Sequence, residues 1–401
     1  MSTRALSERA LIVLLAAITA SGPVSLSIYM PVVPLARAAF GVSVAAASTT
    51  VSAPLVAFAV GLFIYGPLSD HLGRRRVILA GLAIYLTGLV IALTAPSIGL
   101  LTTGRVIAAL GTSAGVTVAR AAMGDLYARE KMAHKLATLT MVMVTANALA
   151  PAAGGALAEA FGWQAVFAVL LASGVLIALA TWRWLPETRR AGDSLGPRRI
   201  VEATTTLLRR ASFMALAMQS AVIYTIFFVF VALVPYVFRN LGRSAAEYGL
   251  WYLTISGGYF LGNWYVSRYT YRVGVARMIA LGIAFQAAGG VLGWLFALAG
   301  WWHPFFLFAP WCVIGFAQGL ALPNLTASAV ALAPRHAGAA AGLLGFTQQI
   351  FGAIAVQVMA VSSTTTPLPV TGFVAAGAVL AWLAHRYLPG HEPVSASRGA
   401  D

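Results

Sequence analysis

Gly66-Pro67-Leu68-Ser69-Asp70-His71-Leu72-Gly73-Arg74-Arg75-Arg76 is the stretch on which the reading of this chain turns. It follows one long apolar run, Val44–Leu68, and leads into another, Val77–Thr94. One carboxylate, three guanidiniums, two glycines and a proline gather where the chain has to reverse. A bilayer-crossing chain needs such reversals outside the hydrocarbon, because unpaired backbone polar groups cannot be left in lipid. Pro67 fixes φ and Gly73 accepts a positive one, so both are expected to shape a turn. Arginines collect on the cytoplasmic side of membrane proteins, which places this turn there. A lone Arg-Arg-Arg would be a solvated loop; Asp70 among the cations makes it a candidate ion-pair cluster.

Composition supports the membrane reading. Of 401 residues 60% are hydrophobic and only 9% charged, with mean hydropathy +0.85, far from a globular composition. The formal charge of +15 does not form the continuous patch that nucleic acid requires; basic residues fall instead at the ends of apolar runs. Cys312 is the single cysteine, so neither a disulfide framework nor a cysteine metal cluster is available. There is no phosphate-binding Gly-x-x-x-x-Gly-Lys loop, no paired metal-ligand spacing, and Ser113 and Ser328 stand without a positioned base. Arg4 and Arg9 ahead of an apolar stretch resemble a signal-peptide start, with Ala17 to Ser21 like a cleavage site. The run continues to Val33, however, and reads as an uncleaved first span.

A helix needs about 20 residues to cross about 30 Å of hydrocarbon. The chain offers twelve such runs: Leu11–Val33, Val44–Leu68, Val77–Thr94, Gly99–Ala119, Leu136–Leu157 and Trp163–Leu185, then Phe213–Phe238, Tyr248–Ser267, Met278–Gly300, Pro304–Ala327, Ala337–Ser362 and Val370–Tyr387. Pro186 to Arg210 between the sixes is polar, with a short amphipathic helix expected around Ile200 to Leu208. Only Arg37, Arg239 and Arg243 fall on the side opposite the basic turns, so both termini are expected in the cytoplasm. Tyr29, Trp163, Trp251, Tyr252, Trp301 and Trp302 are expected as interfacial anchors. The halves echo each other. Arg76-Val-Ile-Leu-Ala-Gly81 has a counterpart in Arg277-Met-Ile-Ala-Leu-Gly282, Gly111 and Gly115 in Gly319 and Pro323, and Gly262, Arg268 and Arg272 read as a second basic turn without an acid.

Gly66-x-Leu-x-Asp70-x-x-Gly73-Arg74-Arg75 resembles the loop signature between the second and third spans of the major facilitator superfamily, with His71 where that family usually has Arg or Lys. Ser25-Leu-Ser-Ile-Tyr-Met-Pro-Val-Val-Pro34 resembles the first span of the Bcr/CflA-like drug exporters, Asp-x-Tyr-Leu-Pro-x-x-Pro, with Ser27 at the place of the acid. Arg120-Ala-x-x-x-Asp125-Leu-Tyr127, Gly162-Trp163-Gln164-Ala-Val-Phe167, Trp184-Leu-Pro-Glu-Thr188 and Pro323-Asn324 extend the resemblance. It implies an all-α fold of two six-helix bundles related by a pseudo-twofold axis, residues 1–190 and 211–401 joined by a cytoplasmic linker at 191–210. It further implies a monomeric, multi-pass inner-membrane exporter of small amphipathic molecules, driven by the proton gradient and carrying no bound cofactor. An importer or facilitator of a sugar, organic acid or metabolite, or a metabolite or siderophore exporter, is the alternative within transport. An intramembrane enzyme would need convergent titratable groups at one depth, and a receptor-like scaffold has no need of internal repetition.

The candidate residues follow. Gly66, Asp70, Gly73, Arg74, Arg75, Arg120 and Asp125, with Arg129, would close or register the inner face. Arg105 lies inside the fourth span, where an arginine costs about 2.5–3.5 kcal/mol and so should face the protein interior; six residues before Gly111, it resembles the family's proton-coupling arginine. Ser27, Tyr29, Asn147, Tyr224 and Asn324 are expected around a cavity with it, and Gln348 and Gln349 as polar counterparts of Asn147. Pro151-x-x-Gly154-Gly155 resembles the antiporter element of the fifth span, a bend with close helix packing. None of the 11 acidic residues reaches mid-depth of a span. With Ser27 at the usual acid's place, the cavity is expected to favour neutral or anionic substrates.

Overall fold

Ser43 begins the helix that carries the opening stretch: its hydroxyl accepts the backbone N–H of Ala46 at 3.1 Å, supplying one of the partners that a helix start lacks. The helix then runs unbroken from Val44 to Leu72, through Pro54 and Pro67. Gly66 to Leu72 is therefore helix rather than loop, and the turn narrows to one residue, Gly73, at φ +98°. Pro67 does not shape it. Backbone groups that a proline leaves open can be satisfied by neighbours in a helix bundle, whereas a one-residue reversal needs the positive φ that glycine takes without a Cβ clash.

The computed structural model describes residues 7–127, 129–189, 197–333, 337–362 and 366–387. Its helices are α1 (Glu8–Ser27), α2 (Val33–Phe40), α3 (Val44–Leu72), α4 (Arg74–Leu93), α5 (Ile98–Leu126), α6 (Arg129–Phe161), α7 (Ala165–Trp184), α8 (Pro197–Leu208), α9 (Ala211–Asn240), α10 (Ala245–Val273), α11 (Val275–Leu298), α12 (Pro304–Ala331), α13 (Ala337–Val361) and α14 (Leu368–Tyr387). Among the described residues eleven helical segments are long and apolar enough to span a membrane, α1 and α2 counting as one. The twelfth expected span is α10: at 29 residues it is long enough, but Asn263, Arg268, Arg272 and its tyrosines lower its hydropathy. The first span is not one helix. Tyr29 leads into a 3-10 turn at Met30–Val32, and Val33 starts α2, because Pro31 and Pro34 cannot donate to the helical ladder. The short helix expected near Ile200–Leu208 is α8; residues 190–196 of the linker lie outside the described residues.

Within the first six spans α5 packs on α3, α4 and α1, and α1 on α6; within the last six α12 packs on α10 and α11, and α9 on α13 and α14. The two sets meet chiefly where α3 lies along α13 and α6 along α10. Gln357 of α13 accepts from the Ser52 hydroxyl at 2.9 Å and donates to the Ala45 carbonyl at 3.2 Å. Phe63 and Phe346 meet edge to face further along the same pair. The repeat shows in the backbone: Gly274, between α10 and α11, takes φ +88° as Gly73 does between α3 and α4. Gly262 is not the counterpart of Gly66. It abuts Phe316 and Gly319 of α12, as Gly61 of α3 abuts Leu110 and Ser113 of α5. Nor does Gly319 repeat Gly111, for Gly111 packs on α4 and Gly319 on α10.

Pro151, Gly154 and Gly155 lie in α6 at its tightest contacts. A Cβ on Gly154 would stand 1.9 Å from the Ile28 carbonyl oxygen, and one on Gly155 2.2 Å from that of Ala245. Gly249 of α10 answers from the other side, against Pro151 and Ala152. The first glycine thus seats α6 on the broken span and the second seats it on the other six-helix set. Leucine at either position is expected to force the helices apart, costing about 1–3 kcal/mol or more and lowering the thermal midpoint in detergent by several degrees. Gly338→Ala, with open space around it, is the matched control and should leave the midpoint unchanged. Normal melting of both leucine variants would show that the contacts are dispensable.

Candidate functional site

From the end of α1 into the turn that follows, polar side chains alternate, Ser25, Ser27 and Tyr29, and each meets a different helix. Ser27 donates to the Asn147 side-chain oxygen of α6 at 2.7 Å. Tyr29, fully buried, accepts from Thr50 of α3 at 3.2 Å. Tyr85 of α4 lies beside Ser25 and Arg105. Arg105 of α5 is only 5% exposed, and its guanidinium carbon stands 3.8 Å above the Tyr29 ring. Such stacking is worth about 2 kcal/mol when desolvated. Its Nη1 is buried without a partner, and no carboxylate pairs with it among the described residues. Arg105 therefore faces the protein, as a charge inside a span should.

Of the residues expected around it, the structure brings Tyr29 directly to Arg105 and pairs Ser27 with Asn147. Tyr29 is no interfacial anchor, and buried Trp163 and Tyr252 are none either, while Trp301 is half exposed. Tyr224 is not a neighbour of Arg105 but joins an aromatic group with Phe227 and Phe228, whose centroid lies 4.9 Å away. Asn324 is buried and donates to the Leu320 carbonyl of its own helix at 2.8 Å, the usual resort of a short polar side chain in an apolar helix. Gln348 donates to Ser220 rather than to Asn147.

At the arginine-rich end a second constellation centres on Arg74. Its guanidinium meets Asp70 at 2.5 Å and Asp125 at 3.0 Å and donates to Ser69 at 2.5 Å. Thr188 also donates to Asp125, at 3.4 Å. The side chain of Arg74 is 11% exposed, so this pairing is worth more than a surface bridge. Arg120 is exposed and joins none of these bonds, a correction to its expected place; helical geometry points it away from the Asp125 face. The side chain of Arg129 lies outside the described residues. Gly66 has ordinary clearance, with Thr117 at 3.7 Å from a built Cβ.

The sequence reading missed Glu187. Its carboxylate accepts the backbone N–H groups of Arg74, Thr188 and Arg189 at 2.7, 3.1 and 3.2 Å, so it caps α4 where the helix dipole favours an anion. Gly73 is required here for space as well as φ, since a Cβ would come 2.5 Å from the Glu187 oxygen. The only signal was Trp184-Leu-Pro-Glu-Thr188, whose partner lies 113 residues away.

These arrangements sit in a chain with recognisable relatives. Multidrug resistance protein D of Escherichia coli is 27% identical over 366 residues, covering 90% of each chain. The bicyclomycin resistance protein homolog of Haemophilus influenzae is 27% identical, covering 82% of this chain and 83% of its own. Among solved structures, a bacterial homolog of the human lysosomal transporter Spinster, inward-facing and unoccupied, superposes with TM-score 0.77 at 17% identity over 96% of this chain and 100% of its own. The model of the Major Facilitator Superfamily matches residues 14–356, and the chain belongs to that family of membrane transporters.

Proposed function

We propose that the protein exports small amphipathic molecules, as a drug-efflux carrier, by alternating access. The observation that carries this reading is the similarity along 90% of its length to a multidrug resistance protein, together with the two glycines that seat α6 on both helix sets. Residues 1–190 and 211–401 would rock as two bundles about the 191–210 linker, in a monomer. The positive-inside tendency of the arginine-rich turns supports both termini lying on the cytoplasmic side of the inner membrane, and the proton gradient would supply the energy. Arg74, bonded to Asp70 and Asp125, would register the inner face and be remade in each cycle.

The substrate preference follows from Arg105 and Ser27. A guanidinium with no carboxylate partner among the described residues repels a cation 8 Å away by about 2 kcal/mol at an effective dielectric of 20, roughly thirtyfold in affinity. Ser27 and Asn147 satisfy each other without charge. Neutral or anionic substrates are favoured over lipophilic cations, and protons are carried by a group other than a span-one carboxylate.

Everted vesicles should therefore export a neutral phenicol faster than ethidium, and Ser27→Asp should raise ethidium export at least several-fold. Tight ethidium export by the wild type, lost in Arg105→Ala and unimproved in Ser27→Asp, would overturn the charge argument. Asp70→Asn should keep expression and substrate binding but slow exchange tenfold or more. Unchanged rates at matched membrane levels would remove Arg74 and its partners from the gate.

A further inference from the structure

At the arginine-rich end, a cavity of about 460 Å³ opens between the α3–α4 turn and the chain leaving α7, lined by Leu72, Gly73, Arg75, Arg76, Glu187 and Arg189. Three guanidiniums surround it, and none meets a carboxylate among the described residues. Arg75 donates to the Trp182 carbonyl at 2.5 Å and Arg189 to the His71 carbonyl at 2.8 Å; Arg76 is exposed. Neutral carbonyls orient these groups without cancelling their charge, and the Nε of Arg75 is buried with no acceptor. The one anion present, Glu187, is already committed to three backbone N–H groups.

The surroundings fix the depth of this cavity. Trp182 and Trp184 are 62% and 45% exposed, and exposed indoles on a spanning helix belong at the head-group level. Leu179 lies on the face of Trp182, and Leu68 on that of Leu72, and all three leucines are exposed, an apolar flank that only acyl chains would cover. Cationic donors at head-group depth above exposed leucines fit a phosphate group with chains attached.

We propose that this cavity binds the phosphate of an anionic phospholipid, held by Arg75, Arg76 and Arg189. The lipid then ties the exit of α7 to the turn that holds Arg74, next to the ion pairs with Asp70 and Asp125. The shared chemistry is a phosphate, which a free anion also offers; the apolar flank favours the lipid. Basic pockets between spanning helices are known to take such head groups, each basic residue contributing about fivefold in affinity.

The test uses the full chain in detergent, with lipid binding followed by native mass spectrometry and by the thermal midpoint. Phosphatidylglycerol should bind and raise the midpoint by several degrees, while phosphatidylcholine and millimolar inorganic phosphate should not. Arg76→Gln combined with Arg189→Gln should weaken phosphatidylglycerol binding on the order of twentyfold. Arg277→Gln, at the corresponding turn of the second half, should leave it unchanged. Should the double variant fail to fold, the wild-type contrast between the two lipids decides the matter. Equal binding of both lipids, retention by the double variant, equal loss in Arg277→Gln, or full stabilisation by inorganic phosphate alone would each overturn the proposal.

Discussion

Helices inside a bilayer gain nothing from hiding apolar surface from lipid, so their backbones must approach closely enough for dispersion and dipole contacts to hold them. In this chain α4 and α5 meet in that way. A Cβ on Gly88 would stand 2.3 Å from the Ala108 nitrogen, one on Gly104 2.6 Å from that of Ala92, and one on Gly111 2.4 Å from that of Tyr85. These glycines fix the register and rotation of α5. Since Gly104 faces α4, Arg105 is turned about 100° away around the helix, toward α1, where Tyr29 receives it. The same register sets Tyr85 beside the guanidinium. The buried charge stands where it does because the glycines allow one way of joining two helices.

Holding that charge without an acid is energetically plausible. An arginine inside a span costs about 2.5–3.5 kcal/mol, and a desolvated ring face returns about 2 kcal/mol. Helix α1 stops at Ser27, two residues before Tyr29, so the partly negative end of its dipole lies nearby. At Ser27 itself no charge is present, since its hydroxyl and the Asn147 side chain satisfy each other. The break in the first span, forced by Pro31 and Pro34, is what makes both the helix end and the buried tyrosine available.

Much of this architecture was legible in the sequence, because lipid imposes composition directly: apolar runs of the right length became helices, and the positive-φ reversal was announced by Gly73. The polar helix α10 was recovered by length and periodic placement, although its tyrosines and arginines blur its hydropathy. What escaped was pairing over long separations. Ser27 and Asn147 are 120 residues apart, and Glu187 reaches a backbone N–H that no side-chain pattern encodes. Tyr29 was misread because composition cannot tell a ring at the membrane surface from one carrying a buried guanidinium. Asn324 and Tyr224 have the right chemistry for a cavity, but helix rotation turned one inward and stacked the other on phenylalanines.

The repeat separates what folding demands from what chemistry adds. Gly73 and Gly274 share nearly the same φ, since each joins two helices through a single residue. Three residues before them stand Asp70 and Tyr271, and directly after them Arg74 and Val275. A Cβ at Gly73 would collide with Glu187, while nothing lies within 4 Å of one at Gly274. The backbone solution is thus kept twice and the charged network built once. A guanidinium bridging two carboxylates at low exposure is costly to disrupt by halves, because loss of either acid leaves the rest of the cluster undercompensated. The Gly274 turn, by contrast, carries no such ion pair among the described residues.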